Sequence, residues 1–321
     1  MKEKVLSRYD ILTVGETPLV STQDAITLTN EETGPLKMVF QFEHMDLSAE
    51  MGAEVEMDKS SRLLDLKAVM SRWQMDLEGR AWNSIYLGNH DQPRSVSQFG
   101  DDGIYRMESA KMLATFVQML QGTPYVYQGD EIGMTNVAFE SIEEYRDVAT
   151  RNMYEEAVEE KGVDPELALS VVHKKSRDNA RTPMQWDADE GAGFTSGMPW
   201  IRVNPNYKEI NVAAALADPD SIFYYYRKLI QLRRENPVVV YGRYDLLLES
   251  HEEIYAFTRA LDEEQLLVIL NFSENTPTFD LPEGISYSST ELLISNYDVN
   301  PEDDLHRIAL RPFEARVYRL R

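Results

Sequence analysis

The sequence predicts an α/β protein in which strand–helix units are followed by an antiparallel β-sandwich. In the first part of the chain, short apolar runs without alternation are separated by amphipathic helical patterns, which is typical of strands buried on both faces of a parallel sheet. The end of the chain instead carries short strand-like runs separated by turn residues, with no helical pattern between them.

Four apolar runs are predicted as the parallel strands. Each is followed by polar residues, and the runs are residues 11–14, 38–42, 84–87 and 125–127. A closed barrel of β/α units needs eight strands. The four units visible here therefore correspond to half of such a barrel.

Helical patterns fill the segments between and after these strands. Apolar stripes are predicted over residues 63–73 and 107–120, and Gly122 and Pro124 end the second one. The highly charged segment 141–175 is predicted as helix with a solvated face. A further helix is predicted over residues 221–235, because Pro237 stops its apolar pattern.

A change of pattern near Pro237 predicts a domain boundary. Residues 1–236 are predicted as a partial (β/α)8 barrel, and residues 237–321 as the antiparallel β-sandwich. The sandwich strands are predicted at residues 254–257, 266–270 and 315–320.

Composition excludes several classes of function. The absence of cysteine rules out disulfides, thiolate metal sites and cysteine nucleophiles, and makes the cytoplasm the expected location. The formal charge of −23 would repel nucleic acid and anionic membranes, so that a neutral substrate is expected. No apolar run is long enough to span a bilayer, and no signal peptide is visible after Met1.

Carboxylates at the predicted strand ends are the candidate catalytic groups. Glu16 follows the first strand and Asp91, in the run Asn89-His90-Asp91, follows the third. Carboxyl ends of parallel strands meet at one edge of a sheet, and glycoside cleavage requires paired carboxylates. A buried Glu16 would have a raised pKa and remain a proton donor near neutral pH. Taken alone, Glu16 could equally be a cap or a salt-bridge partner.

Metal chemistry is not expected. His90 alone would suit a metal ligand or a core histidine, but no second ligand stands at metal-binding spacing. The sequence therefore predicts neither a metal site nor a cofactor. His90 and Asp91 can instead both bond sugar hydroxyls.

Five blocks of sequence occur in a characteristic order over essentially the whole chain, and are Thr13-Val14-Gly15-Glu16, residues 38–44, residues 88–94, residues 122–133 and residues 176–186. Together they resemble the α-amylase family, glycoside hydrolase family thirteen, in its oligo-1,6-glucosidase and α-glucosidase branch. The resemblance implies that the four strands are strands five to eight of the barrel. It also implies retaining hydrolysis of α-linked gluco-oligosaccharides.

The resemblance assigns roles to individual residues. It implies that Glu16 is the general acid/base and that Asp91 stabilises the transition state by gripping sugar hydroxyls. The residues implied to bind substrate around them are His90, Arg177, Arg181, Glu43 and Phe42.

One part of the family pattern is missing from this sequence. Family members carry an Asp nucleophile in a block of the type Gly-Phe-Arg-x-Asp, and no such block is present. A retaining mechanism needs an acid and a nucleophile roughly 5 Å apart. The isolated chain is therefore expected to be inactive, as the C-terminal part of a longer or split α-glucosidase.

Two alternatives remain open at this point. The first is a non-catalytic carbohydrate-binding or scaffold protein built on the same barrel, and the second is a half-barrel that dimerises to close its sheet. An open parallel edge favours pairing, through self-association or a complementing N-terminal half, whereas the negative charge opposes self-association. Retention of Glu16 and of Asn89-His90-Asp91 argues against the scaffold reading.

Overall fold

The computed structural model describes residues 2–45, 47 and 59–321, with only the backbone of residues 59–61. The helices of this part are α1 (Thr22–Thr29), α2 (Lys59–Leu77), α3 (Ser95–Phe99), α4 (Arg106–Met119), α5 (Val148–Glu155), α6 (Pro165–Lys175), α7 (Asp178–Arg181), α8 (Val212–Ala217), α9 (Ile222–Glu235) and α10 (Pro237–Tyr241). The strands are β1 (Val14–Glu16), β2 (Met38–Phe40), β3 (Ser84–Ile85), β4 (Thr123–Pro124), β5 (Arg243–Leu247), β6 (Ile254–Leu261), β7 (Glu264–Asn271), β8 (Thr278–Asp280), β9 (Thr290–Ser295), β10 (Arg307–Ala309) and β11 (Ala315–Leu320).

The chain forms two compact units. The first contains residues 1–85, 115–125 and 229–321, and the second contains residues 86–114 and 126–228. The boundary predicted at residues 236/237 stays a prediction. In the structure, α10 begins at Pro237 and the first antiparallel strand begins at Arg243.

The first unit contains the four parallel strands in chain order. β1 pairs with β2, a parallel bridge joins Val39 to Asn83 beside β3, and β3 pairs with β4. Helices α1 and α2 enclose a core around Val39 and Trp73. The parallel β/α arrangement predicted from the sequence is confirmed for these strands.

The strands predicted at residues 11–14 and 125–127 are wrong in position, and the first of them is also exposed rather than buried. Residues 11–13 are not a strand, and Ile11, Leu12 and Val14 are exposed, because β1 pairs with β2 alone among the described strands. Residues 125–127 lie just past β4, since Pro124 is already the last paired residue. The apolar residues lie next to the observed strands, but the hydrogen bonds to the neighbouring strand determine where each strand starts and stops.

The antiparallel sheet predicted at the end of the chain is confirmed. Five strands pair in the order β5-β6-β7-β11-β9, and β8 pairs with β10. Inward-facing residues of both sheets form one core with Ile254, Leu267, Phe279 and Ile308. The opposite face of β6 contacts α2 through the hydroxyl chain Ser71–Tyr244–Tyr255.

The second unit contains the charged helical segment 141–175 and the short helices α7 and α8 after it. α5, a π-helical turn over Glu156–Glu160 and α6 lie where helix is predicted from residues 141–175, and most of their charged side chains are exposed. Small apolar cores form around Phe139 and Tyr145 and around Ile132 and Met184. No helix in the described part of the chain is long and apolar enough to cross a membrane.

Candidate active site

Glu16 is the last residue of β1, at the carboxyl end of the strand. Its backbone lies opposite Phe40 of β2, and both the amide and the hydroxyl of Thr17 donate to the Phe40 carbonyl at 3.1 Å. The strand end is thus fixed, but the Glu16 side chain is exposed. The burial expected for Glu16 is therefore wrong for this chain, because β1 is covered by β2 along one side only within the described residues.

The turn after Glu16 contains a strained residue. The Val20 amide donates to the Thr17 carbonyl at 3.3 Å, which closes a turn over Pro18 and Leu19. Leu19 occupies the third position with φ +62°, a conformation that favours glycine, and its side chain is 94% exposed. The leucine side chain therefore adds strain without adding burial.

Replacing Leu19 by glycine should raise the free energy of unfolding by about 0.5–1 kcal/mol, because relief of the left-handed strain exceeds the extra entropy of unfolded glycine. Urea denaturation of the 321-residue chain measures this. Leu19→Ala is the control, because it truncates the side chain but keeps the strain, and it should match the wild type. Equal stability of the glycine and alanine variants would contradict the assignment.

The second predicted segment of this unit is tied to α2. The Glu43 carboxylate accepts a hydrogen bond from Trp73 Nε1 at 2.8 Å and forms an ion pair with Arg72. Phe42 is half-buried beside it. Glu43 is thereby held in place, and a role for it or for Phe42 in lining a sugar subsite stays a prediction.

In the second unit, the structure brings four of the predicted residues together around Asp91. The Asn89 side chain accepts from the Asp91 amide at 2.8 Å, which fixes the turn that presents Asp91. Asp91 Oδ1 pairs with Arg181 and lies 3.9 Å from Arg177 Nη1. His90 Nε2 is 3.7 Å from Asp91 Oδ2, and the His90 carbonyl accepts from Arg181 Nε at 2.8 Å.

The two arginines point the same way because of helix geometry. Arg177 is the residue before α7 and Arg181 ends it, so that they are four residues apart on one helical face. Both guanidinium groups therefore meet the same carboxylate. Asp91 Oδ1 thus faces two positive charges, while its Oδ2 has no hydrogen-bonding protein partner within the described residues.

Asp147 completes this cluster and was not found from the sequence. Its Oδ1 lies 3.3 Å from Arg181 Nη1, so one arginine bridges Asp91 and Asp147. Burial by itself would raise the pKa of Asp147, but hydrogen bonds from Thr150 and the charges of Arg177 and Arg181 outweigh it, and the pKa lies below its usual range. Asp147 thus fixes the position of Arg181.

A buried carboxylate holds Asp147 in turn. Asp178 is fully buried and its Oδ2 accepts from the backbone amides of Arg146 and Asp147. The sequence signals here were a helix start at Asp147 with Thr150 three residues on, and nothing in them indicated a contact with Arg181.

The described residues include no cluster of acidic and histidine side chains that could hold a metal ion.

Family models match both parts of the chain. Residues 1–242 match the alpha amylase catalytic domain and residues 244–317 match the maltogenic amylase C-terminal domain. The chain belongs to the α-amylase family. The predicted resemblance is confirmed, including the oligo-1,6-glucosidase branch.

Individual relatives of this family member are similar over its whole length. An oligo-1,6-glucosidase from Parageobacillus thermoglucosidasius is 61% identical over 321 residues, and one from Bacillus cereus is 58% identical, each match covering 100% of this chain and 57% of the relative. The crystal structure of a trehalose-6-phosphate hydrolase from Bacillus licheniformis superposes with a TM-score of 0.93 at 46% identity, covering 99% of this chain and 57% of that one. The chain thus spans little more than half the length of the relatives it matches.

Proposed function

We propose that this α-amylase family chain supplies the acid/base and the transition-state stabiliser for retaining hydrolysis of α-glucosidic bonds in short oligosaccharides. The observation that carries the proposal is the geometry of Asp91. Its Oδ1 is held by two arginines and its Oδ2 is available to accept a sugar hydroxyl. A carboxylate in this position suits an oxocarbenium-like transition state, which carries positive charge.

Glu16 is proposed as the acid/base. It ends β1 at the carboxyl edge of the parallel strands, where catalytic residues of β/α barrels lie. Its exposed carboxyl group can reach a bound glycosidic oxygen, protonate it, and later deprotonate the attacking water. His90, Arg177 and Arg181 are proposed to bind the first sugar ring, and Phe42 and Glu43 to line the neighbouring subsite.

The nucleophile is proposed to come from outside these 321 residues. The four parallel strands are then strands five to eight of a (β/α)8 barrel, and residues 237–321 form the following β-domain. Relatives that are nearly twice as long support this arrangement. The substrate class is proposed from the names of those relatives, which are oligo-1,6-glucosidases.

The purified 321-residue chain should show no turnover of a nitrophenyl α-glucoside at any pH, because a double displacement needs a carboxylate nucleophile that the sequence lacks. Release of nitrophenol measures this. Adding the nucleophile-bearing N-terminal portion of a relative should restore turnover.

The matched control for restored activity is Asp91→Asn, which removes the proposed stabilising charge while keeping the side-chain shape. This variant should stay inactive after complementation. Turnover by the lone polypeptide would contradict the proposal that the nucleophile lies elsewhere.

A further inference from the structure

Four arginines of the described residues are almost completely buried, and three of them have partners for their guanidinium groups. Arg316 pairs with the carboxylates of Glu314 and Asp303 at 2.6 and 2.7 Å. Arg94 and Arg233 donate to backbone carbonyls and, for Arg94, to a threonine hydroxyl. The N–H groups of these three arginines thus have acceptors in the described part of the chain.

Arg259 of β6 is the exception. It is 0% exposed, and its one hydrogen bond within the described residues runs from Nη1 to Gln74 Oε1 at 3.2 Å. Its Nε and Nη2 are buried without a hydrogen-bond partner. Burying charged donors without acceptors costs several kcal/mol per group, so native proteins rarely leave them so.

The two unpartnered nitrogens form one recognition edge. Nε–H and an Nη2–H point in parallel from the same side of a guanidinium, and this is the edge that binds an anion with two hydrogen bonds. A single small anion would therefore satisfy both donors and the charge together. One water oxygen can accept both bonds, but leaves the charge uncompensated.

The surroundings add positive rather than negative charge. Arg233 of α9 donates to the carbonyls of Gln118, Leu120 and Gly122 at the end of α4, and Gln74, the partner of Arg259, is bonded to Gln121 in the same segment. Burial, together with the charge of the neighbouring Arg233, lowers the pKa of Arg259 to about 10, while Glu78, Tyr244 and Asp245 oppose this. Arg259 is therefore still a cation at neutral pH, held near a second one.

We propose that the Nε/Nη2 edge of Arg259 binds a small monovalent anion of the halide class, enclosed between β6 and α2. Tyr244 and Leu266 flank Arg259 on the neighbouring strands, Gln74 of α2 bonds Arg259, and Ser71 of α2 bonds the Tyr244 hydroxyl. The anion compensates the buried guanidinium and secures α2 on the antiparallel sheet. This inference is independent of the proposed catalytic function.

Thermal unfolding of the 321-residue chain in sodium chloride and in sodium gluconate at equal ionic strength tests the site. Chloride should raise Tm saturably by about 2–4 °C, since a ligand that binds only the folded state stabilises it by mass action. Arg259→Met should remove this chloride dependence. Arg307→Met, which alters an exposed arginine of β10, should retain it.

Two further measurements keep the test decisive. Arg259→Lys keeps the positive charge but lacks the two-donor edge, so this variant should lose most of the chloride response. It serves as the test if Arg259→Met does not fold. A crystal grown with sodium bromide should show an anomalous peak within hydrogen-bonding distance of Arg259 Nε and Nη2. An ordered water without anomalous signal, or an unchanged chloride response in both variants, would overturn the proposal.

Discussion

Replacing Glu16 by glutamine should lower kcat on a glucosyl disaccharide about 10²–10⁴-fold, in a protein that joins this chain to the nucleophile-bearing portion of its relatives. Glutamine keeps the size and hydrogen bonding of Glu16 but cannot protonate the leaving oxygen or deprotonate water. Steady-state kinetics of the wild type and the variant measure the effect. Because the change removes an interaction of the transition state, kcat and kcat/KM should both fall.

The choice of substrate separates chemistry from misfolding. A nitrophenyl leaving group departs with little protonation. The rate of glycosidic bond cleavage by Glu16→Gln should therefore fall less with the aryl glucoside than with the disaccharide. Azide, which attacks without a general base, should restore turnover of the aryl glucoside by Glu16→Gln. Glu31→Gln is the control, because Glu31 is an exposed carboxylate with no proposed role in the site, and this variant should change kcat by less than about tenfold. Equal losses in both variants would remove Glu16 from the acid/base role.

Replacing Arg94 by methionine should lower the free energy of unfolding by about 3–5 kcal/mol, because it leaves buried carbonyl groups without a donor and removes the positive charge near the buried Asp130. Arg94 is fully buried and donates to the Gln128 and Asn179 carbonyls at 2.6 and 2.9 Å. It also offsets the charge of Asp130. Guanidinium chloride denaturation followed by circular dichroism measures the loss.

The loss should depend on pH through Asp130. Burial raises the pKa of Asp130 to about 6, against hydrogen bonds from Ser95 and Tyr127 and the charge of Arg94. Since this pKa exceeds its unfolded value of 3.8, the folded state holds the proton more tightly, and this group's contribution to stability falls as pH rises from about 4 to 6. Without the positive charge of Arg94, burying the ionised Asp130 carboxylate destabilises the fold more. The variant should therefore lose more stability at pH 7.5 than at pH 5.

The double variant Arg94→Met, Asp130→Asn isolates the charge. Asparagine cannot ionise, so it should recover part of the stability lost at pH 7.5 and flatten the difference between the two pH values. A loss that is the same at both pH values, with no recovery in the double variant, would show that Arg94 acts only through its carbonyl contacts. In that case Asp130 carries no buried charge at neutral pH.

Periodicity predicted most of the elements because burial acts on each element separately. The stripe from Leu63 to Trp73 faces the core of the first unit as expected, since a helix of that length must bury one face. The strand positions failed at residues 11–13 and 125–127. There the apolar character was correct, but pairing depends on the neighbouring strand, which a local pattern does not contain.

The candidate site divides in the same way. The run Asn89-His90-Asp91 was identified because residue type and strand-end position together restrict the chemistry. The residues that support this run were not identified. Asp147 contacts Arg181, which lies 34 residues away in the chain, and Asp178 accepts from the Asp147 amide, which lies 31 residues away. Their segment looks like an ordinary charged helical region in the sequence.

The sequence by itself determined the family, the order of the four parallel strands, and the residue types at the strand ends, because these depend on composition and local spacing. Only the tertiary structure decided that Arg177 and Arg181 converge on Asp91, that Asp147 holds Arg181, and that Glu16 is exposed. It alone also placed Arg259 with an unpartnered edge in the interior. Hydrogen bonds and charge pairs form between groups that are close in space, and that closeness arises when the chain folds rather than from the spacing of residues along it.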